Sequence, residues 1–118
     1  MSIQNTYYMP LKENLFESAL FSEIVPKKDG RGSDALQKHD KDGVPIWSIF
    51  AFVSLPGESP DKEMFSLAAP QKVAEEIASL KVYTPIKFIG LTGGKWSKEG
   101  TDKTTWTFKC DAIMKVSA

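Results

Sequence analysis

The chain has 118 residues, 42% of them hydrophobic and 25% charged, which is enough apolar material for one domain with its own core. Fifteen basic and fifteen acidic side chains cancel, excluding a strongly basic nucleic-acid clamp and a polyacidic solvating tail. The single cysteine, Cys110, excludes an internal disulfide, no Cys/His cluster offers zinc a site, and no apolar run reaches the roughly 18 residues of a membrane span.

Residues 1–14 have little periodicity and are expected to form a partly ordered lead-in to a single domain over 15–118. They lack the basic-then-apolar order of a secretory signal, so the expected location is cytoplasmic. LFESALFSEIV (15–25) admits two readings, a helix by its apolar spacing or a strand stopped by Pro26. KKDGRGSDALQKHDKDG (27–43) contains three glycines and reads as a long exposed loop or hairpin arm.

VPIWSIFAFVSL (44–55) is the strongest strand, β-branched and aromatic, and bounded by Gly43 and Pro56-Gly57. Trp47, Ile49, Ala51 and Val53 form one apolar set. Ser48, Phe50 and Phe52 form the other, and its serine makes it the outward face. A turn over 56–62 leads to a second strand, EMFSLAAP (63–70). PQKVAEEIASL (70–80) is the clear helix, with Val73, Ile77 and Leu80 inward and Glu75 and Glu76 in water. TPIKFIGLTGG (84–94) reads as a strand closed by a glycine pair. The polar loop KWSKEGTDK (95–103) follows, and then TTWTFKCDAIMKV (104–116), alternating Trp106, Phe108, Cys110 and Ala112 against Thr105, Thr107, Lys109 and Asp111.

The expected fold is therefore mainly β, a five-stranded Greek-key OB-fold barrel with one helix between strands 3 and 4. In that arrangement Val73, Ile77 and Leu80 plug the barrel bottom. An antiparallel sandwich or a β-rich α+β sheet would use the same pattern.

DKDGVPIWSIFAFV (40–53), TPIKFIGLTGGKW (84–96) and TTWTFKCDAI (104–113) resemble small proteins carried on mobile elements of Gram-positive bacteria. More loosely, the order of elements over 15–116 is similar to OB-fold single-stranded-DNA-binding proteins of phages and plasmids. The resemblance implies a role in DNA maintenance, replication or transfer. The long acidic, glycine-rich tail of the bacterial housekeeping binders has no counterpart in the sequence.

Catalytic chemistry finds little to stand on, and neither an enzyme nor a cofactor is expected. His39 is the only histidine and sits among lysines and aspartates. Asp29, Asp34, Asp40 and Asp42 imitate a calcium loop but lack its closing glutamate, so no metal is expected. Cys110 falls on the apolar parity of its strand, where a thiol is buried and inert. In TGGKW (92–96) the lysine precedes a tryptophan and a loop, where a phosphate-binding P-loop has Ser/Thr after its lysine and enters a helix.

Binding finds more support. Single-stranded nucleic acid is held by aromatic faces for stacking and cations along the backbone track. Phe50, Phe52 and Trp96 are the expected stacking residues, and Lys87, Lys95, Lys98 and Lys109 the expected phosphate contacts, with Lys27, Lys28, Arg31, Lys38 and Lys41 on the long arm beside them. From residue 81 onward seven lysines face three acidic side chains, and the first 80 residues carry the opposite surplus of four. Trp47 and Trp106 belong to the core by parity, and Trp96 could equally cap a barrel. Single-stranded DNA is expected over RNA as partner, with a homodimer lengthening a short site. The rival reading buries Phe50 and Phe52 in an oligomeric protein-interaction module without nucleic acid. A small-molecule or oligosaccharide binder is a third, since a fold does not fix a function.

Overall fold

A computed structural model of the chain describes residues 7–10, 15–28, 36–97 and 104–116, with side chains over 15–28, 36–94 and 107–116. The fold is mainly β. Its elements are β1 (Tyr7–Pro10), β2 (Ser18–Pro26), β3 (Ile46–Ser54), β4 (Asp61–Ala68), α1 (Gln71–Ala78), β5 (Ile86–Ile89), β6 (Thr92–Ser97), β7 (Thr104–Cys110) and β8 (Ala112–Lys115). No helix among the described residues is long and apolar enough to cross a membrane.

Six strands form one sheet in the order β1-β6-β7-β4-β3-β2, and β5 pairs with β8 in a second. β2, β3 and β4 make an antiparallel meander, and β4 then pairs with β7 in parallel through Phe65–Phe108, Ser66–Lys109 and Leu67–Cys110. The ambiguous segment at 15–25 is thus a strand. Its register slips by one residue between Phe21 and Glu23, which keeps Phe21 and Ile24 both on the core side.

Among the described residues, eight strands replace the expected five, because two of the expected ones break and the lead-in supplies another. The segment 84–94 bends at Gly90, whose φ of 65° is left-handed, and Leu91 is buried immediately after it. The segment 104–116 bends at Asp111, whose amide donates to the Ile89 carbonyl at 2.8 Å. The two bends lie side by side, so one long hairpin contributes β6 and β7 to the large sheet and β5 and β8 to the small one. Gly93 and Gly94 do not close a strand; they are buried inside β6, between β1 and β7. Lys95 and Trp96 likewise belong to β6 rather than to a loop. The expected lead-in contributes β1, which covers the outer edge of β6.

The hydrogen bonding does not close a barrel. Among the described residues, the large and small sheets approach at a single bridge, Leu20–Pro85, flanked by Phe21 N–H to the Thr84 carbonyl at 2.9 Å and Tyr83 N–H to the Phe21 carbonyl at 2.7 Å. Proline has no amide to donate, and the Pro85 carbonyl already accepts from Val116 N–H at 2.9 Å. A ladder between β2 and β5 therefore stops where it begins.

Between the sheets lies the core. Trp47, Ile49, Ala51 and Val53 are all buried, as their alternation requires, and the Trp47 indole donates to the Ala69 carbonyl at 2.9 Å. Phe65 is fully buried and stacks on Phe88 at 4.1 Å between ring centroids. Phe108 at 5.3 Å and Phe16 at 5.9 Å complete the aromatic group. The helix buries Ala74 and Ile77, with Leu80 packed against the core; Val73, expected inward, is 37% exposed. A two-turn helix offers only a narrow stripe, and the methyl of Ala74 lets its backbone come close where a valine would hold it away.

Cys110 is buried, and burial, with Asp111 adding a smaller charge effect, pushes its thiol up to about 12. The thiol should resist maleimides and disulfide reagents in the native protein and react fully only in denaturant. The raised value also fixes a pH dependence. Stability is intact below pH 9, where the unfolded thiol begins to ionise, and falls by about 1.4 kcal/mol per pH unit from there towards pH 12. Urea titrations of Cys110→Ala should lack this decline. Gly90→Ala is expected to cost roughly 2 kcal/mol in the same assay, because a left-handed alanine is strained and its Cβ would meet the Asp111 side chain.

Candidate functional site

The face of the large sheet turned away from the core is built by the second parity of β3. Phe50 and Phe52 are half-buried and lie outside the core cluster. Ser48 shares this outward parity, as expected, yet is only 5% exposed. It is a small side chain on an inner strand, between Val25 of β2 and Ser66 of β4. Lys27 extends over this part of the sheet and donates from Nζ to Ser66 Oγ at 2.8 Å. Burial, and then the nearby charge of Lys38, hold the Lys27 ammonium below its ordinary value.

Cross-strand register supplies the rest of the face. Phe50 stands between Glu23 and Met64, and Phe52 between Leu20 and Lys62. The Lys62 ammonium lies 5.3 Å from the centre of the Phe50 ring and 3.9 Å from Glu23 Oε1. Tyr83, from the turn after the helix, sets its ring 5.6 Å from that of Phe52. Lys109 is exposed and pairs with Ser66, which places it on this face beyond β4. The surface is an apolar strip bordered by three lysines, Lys27, Lys62 and Lys109, with Glu23 as the acid among them.

Charge is sorted across β4. Lys62, Met64 and Ser66 take the outward parity, whereas Asp61 and Glu63 share the parity of Phe65 and Leu67. At the open end of the core, Asp61, Glu63 and Glu58 rim a cleft of about 130 Å³ floored by Phe16, Val53 and Phe108. Alternation thus puts acids on one side of the strand and the cation on the other. No group of three or more His, Cys, Asp or Glu side chains among the described residues could hold a metal ion.

The expected site residues divide as follows. Phe50, Phe52 and Lys109 come together on the large sheet. Lys87 does not join them: it is exposed on β5 of the small sheet, opposite Met114, and lines a separate cleft of about 270 Å³ with Phe16, Glu17 and Phe88. Lys95 and Trp96 are placed by their backbone, paired with Trp106 and Thr105, and their side chains lie outside the described ones, as does that of Trp106. Lys98 lies outside the described residues altogether, together with Asp29, Arg31 and Asp34. His39 is exposed, its ring Nδ1 3.0 Å from the Gln37 carbonyl. Asp40 accepts from the amides of Asp42 and Val44, both at 2.9 Å, so its carboxylate serves the turn.

Sequence reasoning passed over Lys62 and Tyr83. The period-2 alternation of β4 was a usable signal for Lys62, since Lys62 and Met64 share a parity. Tyr83 had none, because its position depends on a turn geometry that the sequence does not spell out. No protein-family model, curated protein or solved structure matches the chain.

Proposed function

We propose that the chain is a non-enzymatic binder of single-stranded DNA, held on the outward face of β3 and β4 by stacking and phosphate contacts without strong sequence preference. The observation that carries this reading is the pair Phe50 and Phe52, turned away from the core two residues apart and bordered by Lys27, Lys62 and Lys109. Alternate residues on a strand lie about 6.6 Å apart, a separation that an extended, unstacked strand can follow. Stacking on an aromatic side chain contributes about 1–3 kcal/mol per base whatever the base.

The element order supports an open OB-type arrangement as the finer reading of the fold. An antiparallel meander, a helix before β5, the parallel β4–β7 pair and the Leu20–Pro85 bridge are what such a fold would use. On this reading the β3–β4 face is the recognition surface, and a homodimer would join two short sites into a longer one. Maintenance or transfer of plasmid or phage DNA is the setting we propose.

A second reading has its own support. Val25 and Met64 are exposed beside the phenylalanines, and a strip of this composition also suits a protein partner or a second copy.

Labelled oligo-dT followed by fluorescence anisotropy separates the two, because Trp47 is buried and reports poorly on the surface. Binding should weaken with salt, with a slope of roughly −2 for three phosphate contacts. Phe50→Ser with Phe52→Ser should reduce affinity by about 100-fold at an unchanged circular dichroism spectrum. Lys62→Glu and Lys109→Glu should each cost more than Lys87→Glu. A flat titration at low salt defeats the proposal. If light scattering then finds an oligomer that the double serine variant dissociates, the interaction module replaces it.

A further inference from the structure

Tyr83 is, among the described residues, the one non-glycine side chain on a left-handed backbone, at φ 72°. Its turn is tied down on both sides. Tyr83 N–H donates to the Phe21 carbonyl at 2.7 Å, and Phe21 N–H donates to the Thr84 carbonyl at 2.9 Å. The Thr84 amide and hydroxyl both donate to the Lys81 carbonyl, at 3.1 and 2.6 Å. Strain of this kind persists only where surrounding structure fixes it, and here the β2 edge fixes it.

What the strain achieves is the placement of a ring. Tyr83 stands 5.6 Å from Phe52 with the planes 32° apart, yet it remains 62% exposed. A tyrosine recruited only to cover Phe52 would bury its own ring in doing so. This one keeps most of its surface in water beside Phe52, on a turn held against the β2 edge through Phe21.

We infer that Tyr83 is the third stacking residue of the face, so that the track runs from Phe50 through Phe52 onto the turn between α1 and β5 and takes three successive unpaired bases. This rests on the single-stranded DNA reading and extends it. Bases are the occupant that the surface favours, because the row is aromatic throughout while the charges beside it, Lys27, Lys62 and Lys109 against Glu23, complement a polyanion.

The test uses the full chain and labelled oligo-dT. Tyr83→Asn removes the ring but keeps a residue that tolerates the left-handed region. It should lower affinity by about 5- to 100-fold, whereas Tyr83→Phe should bind as the parent does. Tyr83→Trp places an indole at the same point, and oligo-dT should quench its emission beyond any change seen in the parent. Should Tyr83→Asn fail to fold, Tyr83→Gly takes its place, since glycine adopts this backbone most readily. If the parent binds and depends on Phe50 and Phe52, but loss of the Tyr83 ring changes neither affinity nor emission, Tyr83 is merely a cover and the inference fails. If the parent does not bind at all, the failure lies with the DNA reading itself.

Discussion

One buried ring sits where the two sheets meet. Phe65 of β4 stacks on Phe88 of β5 and lies within reach of Phe108 of β7 and Phe16 ahead of β2, so a single side chain touches both layers and the segment entering them. Offset aromatic contacts of this kind add about 0.5–1.5 kcal/mol each beyond the area they bury. The strand edges supply less at this junction, because Pro85 limits the β2–β5 pairing to one bridge. Side-chain packing, more than hydrogen bonding, joins the sheets.

That division leaves β3 and β4 with two different faces. Inward they are committed to the core by Trp47, Ile49, Ala51, Val53, Phe65 and Leu67. Outward they are free to carry Phe50, Phe52, Lys62 and Met64, residues that the packing between the sheets does not need. Placing the acids Asp61 and Glu63 on the core parity, at the open end, leaves Glu23, opposite Phe50, as the acid beside the aromatic row.

The sequence made the inner half of this plain and the outer half less so. Alternation locates the four buried apolar residues of β3, and the apolar parity of 104–116 locates Cys110, because a period of two is a local property. The low exposure of Ser48 on the outward parity is not local: Val25, Ser66 and Lys27, none of them near it in sequence, surround it. The helix spacing places Ile77 and Leu80 correctly and errs at one position, since Ala74 is as apolar as its site needs and Val73 merely looks more so. The bends at Gly90 and Asp111 were missed because each is defined by the other across the hairpin. Lys62 and Tyr83 joined the candidate face only once register and turn geometry were known.

The parallel pairing of β4 with β7 has a consequence for biosynthesis. Leu67 and Cys110 are partners 43 positions apart, whereas the meander before them needs only neighbours. As the polypeptide leaves the ribosome, β2, β3 and β4 can associate while the outer margin of β4 has nothing to bond with. Long-range closures of this sort slow folding and leave the nascent chain open to self-association. A ribosome stalled before residue 104 would present that bare margin to every neighbouring chain, making the last strand pair of the large sheet its safeguard against aggregation as well as its final piece.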